Sequence, residues 1–142
     1  MAKNRTIVRR LSVEVEFHQV DMMHVVHNSE YFRWFEKGRL KTMVDIFPVS
    51  WCVENKIATP VVMNHAEYLW PAKFGDGLVV TTRHSIMERW DGRFVFDHSI
   101  SNEKTKKELC FGQSALTVMD LSSGRLVKDI PDDLWARYHE LA

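Results

Sequence analysis

From Ile7 to Phe17 the chain alternates, with Leu11, Val13, Val15 and Phe17 on one side and Arg10, Ser12, Glu14 and Glu16 on the other. A period of two predicts a strand with one buried face. A loop over 18–27 follows. Asn28 or Ser29 then offers a helix N-cap, because a short side-chain oxygen accepts from the orphan N–H groups of the first turn. Helix formers run from Tyr31 to Phe47, and Pro48 ends them. Tyr31, Phe32, Trp34, Phe35, Leu40, Met43, Val44 and Phe47 form no narrow stripe, so this helix is expected to be buried on several sides. Gly38 in its middle costs roughly 1 kcal/mol against alanine, which predicts a close neighbour there.

Residues 49–59 read as an irregular connector with a short helical turn around Trp51 to Asn55. A strand is expected from Pro60 to Trp70, then the turn-rich link P-A-K-F-G-D-G, then a strand from Leu78 to Trp90. Asp91-Gly92 is a two-residue hairpin signal leading into a strand from Arg93 to Ser101. After N-E-K-T-K-K, Glu108 to Leu121 reads as a further strand, with Leu109, Phe111, Ala115 and Met119 sharing a face. A terminal helix is expected over Pro131 to Leu141, docked by Leu134 and Trp135. One long helix against one antiparallel sheet is a two-layer α+β domain. The helix and the later strands carry more apolar surface than one sheet face covers, so a homo-oligomer is expected.

The 142 residues suffice for one domain, 1–142, with a substantial core. Nineteen basic residues balance nineteen acidic ones, so no charge footprint points to nucleic acid or an anionic membrane. No apolar run is long enough for a bilayer, and M-A-K-N-R-T lacks the apolar core of a secretory signal. Cys52 and Cys110 lie far apart without C-x-x-C spacing and read as small core residues of a reducing compartment. A cytoplasmic location is expected.

The candidate chemistry gathers just ahead of the long helix. Asp21, His24 and His27 precede a helix N-terminus, where free N–H groups and the positive dipole end can stabilise a developing oxyanion. Val20, Met22, Met23, Val25 and Val26 make the Asp21 loop apolar, which predicts a partly desolvated, more basic carboxylate. The competing reading of Asp21 is a turn or capping residue. Asp21, His24 and His27 also have ligand chemistry, but three groups without a fourth and without an H-E-x-x-H frame argue against a metal site. Glu36 reads as an intra-helix ion pair with Arg33 or Arg39. Ser29 and Ser114 lack a G-x-S-x-G setting, and no dinucleotide or phosphate-loop glycine pattern occurs. His84 and His98 sit within strands and are read as satisfied sheet histidines. Lys73, Arg83, Arg89 and Arg93 are scattered surface cations.

The string V-D-M-M-H-V-V-H-N-S-E-Y-F-R-W-F-E-K-G-R resembles the signature of hotdog-fold acyl-CoA thioesterases of the 4-hydroxybenzoyl-CoA thioesterase type. There, D-x-x-G-V-V-x-H-x-x-Y-x-x-W-F-E-x-x-R joins the first strand to the central helix. E-Y-L-W-P-A-K-F-G-D-G-L-V-V is similar to the family's second segment, and G-Q-S-A-L-T-V-M-D with S-G-R follows in order. The resemblance implies a hotdog fold, a curved antiparallel sheet wrapped around one long central helix. It also implies a homodimer or homotetramer with active sites at the subunit interface.

The activity implied is hydrolysis of an acyl-CoA thioester to free acid and coenzyme A, with no metal and with coenzyme A present only as part of the substrate. Asp21 matches the catalytic aspartate, as nucleophile or general base. Asn28 matches the position whose backbone N–H polarises the thioester oxygen. The family often carries His there and Tyr before it, whereas this chain has Asn28 preceded by His27, and His24 stands where Gly is usual. An imidazole role would therefore fall to His27 or His24. Tyr31, Trp34, Glu36 and Arg39 match helix positions of architectural character. Two further readings are a thioesterase or hydratase acting on acyl-carrier-protein thioesters, and a non-catalytic acyl-CoA-binding module.

Overall fold

A computed structural model of the chain describes residues 5–141. Strand β1 (Thr6–Glu14) leads through a single 3-10 turn (Phe17–Gln19) and a short loop into the long helix α1 (Asn28–Ile46). A second helix, α2 (Val49–Asn55), and a short strand, β2 (Ile57–Ala58), come next. Strands β3 (Val61–Tyr68), β4 (Gly77–Ser85), β5 (Phe94–Asn102) and β6 (Glu108–Leu116) follow. Two short strands, β7 (Met119–Asp120) and β8 (Arg125–Leu126), precede helix α3 (Asp132–His139).

The large sheet has the order β1-β4-β5-β6-β3, with antiparallel neighbours throughout. β2, β7 and β8 form a separate small sheet. The layers are those expected, and the short helical turn expected around Trp51 to Asn55 is α2, with the rest of the connector after Pro48 contributing β2. β1 ends earlier than its alternation suggests, so Phe17 does not face the core but stands 78% exposed on the 3-10 turn. The Asp91-Gly92 hairpin is also corrected. The β4–β5 ladder stops at Arg83 opposite Asp97, and residues 86–93 form a long connection. That connection is held by packing: Ile86, Met87 and Trp90 join the core beside α3, and the Met87 N–H donates to the Tyr138 hydroxyl at 2.8 Å.

The face of the sheet toward α1 is set by register. Leu78, Val80, Thr82 and His84 of β4 lie on it with Phe94, Phe96, His98 and Ile100 of β5. Two apolar clusters result. One surrounds Trp34 and Phe35 in the first half of α1; the other surrounds Ile46, Phe94 and Tyr138 beyond its second half. Between them runs a buried polar belt. His98 Nδ1 bonds the Thr82 hydroxyl at 2.9 Å, its Nε2 bonds the Ser114 hydroxyl at 2.7 Å, and Phe35 stacks on its ring at 4.5 Å. Gly38 has the close neighbour expected, the Thr82 hydroxyl, with which a Cβ there would collide.

α3 docks as Leu134 and Trp135 suggest, and more firmly. The Tyr138 hydroxyl bonds His84 Nε2 at 2.7 Å, and His139 Nε2 bonds the Met87 carbonyl at 2.7 Å. Much apolar surface stays uncovered: Val61, Val62 and Tyr68 on the edge strand β3, Leu69 and Trp70 after it, and Phe17, Met22 and Met23 near Asp21. Among the described residues, no helix is long and apolar enough to cross a membrane.

Candidate active site

The 20–26 loop is a miniature hairpin. Val20 bridges Val26, and the Asp21 N–H donates to the Val25 carbonyl at 2.9 Å. Asp21 Oδ1 accepts the Met23 N–H at 2.8 Å, and the His24 N–H donates back to the Asp21 carbonyl at 3.0 Å. This closed turn places His24 at φ 63°, in the left-handed region. The expected desolvation of Asp21 is not met within one chain. Asp21 is exposed, and Met22 and Met23 are 98% and 78% exposed, because a tight turn aims its tip outward whatever its side chains. Asp21 shares a cavity of about 460 Å³ with Phe17, Val20, Met22 and His24.

The helix start corrects the cap. His27, in place of Asn28 or Ser29, is the N-cap, and its Nδ1 accepts the Ser29 N–H at 3.2 Å. With Nδ1 as acceptor, the neutral ring carries its proton on Nε2. The Glu30 N–H is taken by the His27 carbonyl at 3.0 Å, and the His27 N–H by the Gln19 carbonyl at 3.0 Å. Among the described residues, no acceptor is paired with the N–H of Asn28, the first helical residue. Asn28 lines a cavity of about 270 Å³ with Tyr31, Tyr68, Leu69 and Trp70. The Tyr68 hydroxyl donates to the Asn28 carbonyl at 3.0 Å, and the Tyr31 hydroxyl accepts the Ala72 N–H at 3.2 Å. Burial pushes the Tyr31 phenol upward, and the Ala72 N–H opposes this, so Tyr31 is a neutral wall of the cavity.

Asp21 and Asn28 therefore come from one short segment but line separate cavities of the single chain. A buried pair ties the segment together, and nothing in the local sequence signals it. The Gln19 amide donates to Glu30 Oε2 at 3.1 Å and accepts the Glu16 N–H at 2.9 Å, with both side chains about nine-tenths buried. Gln19 and Glu30 are eleven residues apart, a spacing with no periodic meaning.

Other candidates take structural places. Glu36 is exposed and 3.7 Å from Arg39. His84 and His98 have both ring nitrogens engaged inside the fold. Burial drives the His98 imidazole down to about 3, with the Arg39 guanidinium adding to the shift. Burial also pushes the Cys110 thiol up to about 12 and raises Cys52, which disfavours a thiolate nucleophile at either. Among the described residues, no three His, Cys, Asp or Glu side chains converge as metal ligands, and Asp21, His24 and His27 do not form such a set.

The sheet packed on one long helix, with its exposed loop at the helix N-terminus, is the hotdog arrangement. The Thioesterase-like superfamily matches residues 15–138, and the chain belongs to that family. It is 29% identical over 97 residues to "Putative acyl-CoA thioesterase YneP" of Bacillus subtilis (strain 168), covering 67% of this chain and 68% of that protein. Slr0204, a 1,4-dihydroxy-2-naphthoyl-CoA thioesterase from Synechocystis, superposes with a TM-score of 0.76 at 18% identity, covering 92% of this chain and 94% of its own. Staphylococcus aureus SAV2348, solved in complex with CoA, superposes with a TM-score of 0.80 at 12% identity, over 97% of this chain and 84% of its own.

Proposed function

We infer that this protein hydrolyses an acyl-CoA thioester to a free acid and coenzyme A. The observation that carries the reading is the unpaired N–H of Asn28, on the first turn of α1 beside an aromatic-walled cavity, in a chain of the thioesterase-like superfamily. The thioester carbonyl oxygen lies at that N–H, which stabilises the negative charge formed on attack. Asp21 either takes a proton from the attacking water or attacks the carbonyl itself, giving an acyl anhydride that water opens. In both routes the C–S bond breaks, and the thiolate leaves to be protonated as coenzyme A. His27 serves through the cap, holding the first turn in place.

A homodimer supports this chemistry. Asp21 and Asn28 line separate cavities in one chain, and the uncovered β3 edge offers a partner surface next to the second of them. The acyl group lies among the aromatic residues between helix and sheet, with the nucleotide end at the surface.

Two substitutions test the mechanism by thiol release from acyl-CoA esters. Asp21→Asn is expected to abolish most turnover. Asn28→Pro removes the donor N–H while sparing the helix, because proline is favoured at the first helical position. His27 already has the backbone that a residue before proline requires, φ −63° and ψ 139°. The expected loss in kcat is about 10²–10³-fold with the helix content retained. Undiminished turnover in either variant would overturn the corresponding role, and binding of acyl-CoA without turnover in the wild type would overturn hydrolysis.

A further inference from the structure

The β5–β6 turn carries three lysines within four residues, Lys104, Lys106 and Lys107, on a chain whose net charge is zero. All three are exposed, and among the described residues none forms an ion pair. The two nearby carboxylates face elsewhere: Glu108 is held by the Ser99 hydroxyl at 2.5 Å, and Glu103 lies against Gly77. The turn is stiff. Asn102 Oδ1 accepts the N–H groups of Lys104 and Thr105 at 2.9 and 3.0 Å, and the Lys106 N–H donates to the Asn102 carbonyl at 2.9 Å. It is also anchored to the rim of the Asn28 cavity. The Leu109 carbonyl accepts the N–H groups of both Leu69 and Trp70, at 2.8 and 3.1 Å. Lys107 Nζ sits over the Trp70 ring, 3.1 Å from its centroid, and Trp70 is a wall of that cavity with 54% of its surface exposed.

A preorganised group of ammonium charges beside an exposed indole fits a ligand that carries phosphate on a flexible arm. We propose that the lysine turn at 104–107 and the Trp70 face bind the phosphate-bearing end of the thioester's leaving group while the thioester lies at Asn28. This rests on the thioesterase reading for the reacting end alone. The shared chemistry is phosphopantetheine, carried by coenzyme A or by an acyl carrier protein.

The test compares one acyl group on three leaving groups, coenzyme A, a phosphopantetheinylated carrier protein, and phosphate-free pantetheine, in wild type and in Lys104→Ala/Lys106→Ala/Lys107→Ala. In the triple variant KM is expected to rise about tenfold for the phosphate-bearing substrate, removing its advantage over acyl-pantetheine. The wild-type KM for that substrate should also rise with salt, and the variant's should not. Whichever of acyl-CoA or acyl-carrier protein shows the effect identifies the source. An unchanged KM for both, or an equal rise for acyl-pantetheine, would overturn the site. Calorimetric titration with free coenzyme A reads the same lysines without turnover. Lysine-dependent binding in a chain that hydrolyses nothing would therefore sink the hydrolase reading and keep the site.

Discussion

At the scale of single residues, His24 is the strained position of the candidate site. An L side chain at φ 63° crowds its own carbonyl, at a cost of about 1–2 kcal/mol that glycine escapes. This explains on backbone grounds why the resembling family usually has glycine there. His24→Gly is expected to stabilise the fold by about 1 kcal/mol, less whatever the freer unfolded chain takes back. The midpoint of urea unfolding measures it, and a lower midpoint would mean that the imidazole makes a compensating contact. Asp21, His24 and His27 were legible as a carboxylate and two imidazoles just before a helix, and Asn28 as a residue at its start. Their geometry was not. Whether Met22 and Met23 shield Asp21 depends on the direction of a turn tip, and that direction follows from backbone torsions instead of hydrophobicity.

At the scale of elements, α1 organises the site because its capped first turn leaves the Asn28 N–H without an acceptor among the described residues while its body is clamped. The clamp is tightest at Gly38, where the Thr82 hydroxyl fills the space a methyl group would need. That hydroxyl is bonded to His98 and cannot move away cheaply. Gly38→Ala gains about 1 kcal/mol of helix propensity but overpacks the contact at about 1–3 kcal/mol. A net loss of about 1 kcal/mol is expected in chemical denaturation. In a Thr82→Ala background the same substitution should cost about 1 kcal/mol less, since the two sites share one contact. Additive losses would show that Val80, the next neighbour at 3.3 Å, sets the limit instead. Strand, helix and turn periodicities located every major element, whereas the β4–β5 connection was misjudged. Asp91-Gly92 has the chemistry of a tight hairpin, yet packing of Trp90 and the Met87–Tyr138 bond draw eight residues into the loop.

At the scale of the whole molecule, the buried histidines couple the fold to pH. His98 is held down to about 3 by burial and by Arg39, and His84 is lowered by burial, with the Val95 carbonyl opposing. Both folded-state values lie below the unfolded value of about 6.5. The folded state therefore refuses protons that the unfolded state accepts. The stabilisation is complete above pH 6.5 and is lost as pH falls, down to about 3 for His98. Each histidine is expected to remove up to about 1.4 kcal/mol per pH unit once below pH 6.5. Urea midpoints between pH 7.5 and 5 should fall, and less steeply in His98→Gln. A flat wild-type profile across that range would show that the polar belt admits the proton.

The sequence alone determined the α+β class, the order of sheet and helix, and the segment in which candidate chemistry concentrates. Those follow from periodicity, helix stop signals and side-chain chemistry, all of them local. Only the tertiary structure decided which cavity each candidate lines, that His27 caps the helix and leaves the Asn28 N–H without an acceptor among the described residues, and that Gln19 meets Glu30. It also decided that a lysine turn thirty-odd residues beyond Trp70 closes over its ring. These are contacts between segments remote along the chain, set by strand register and by the packing of α1. No local pattern encodes them, because register is decided by the fit of the whole sheet against its helix.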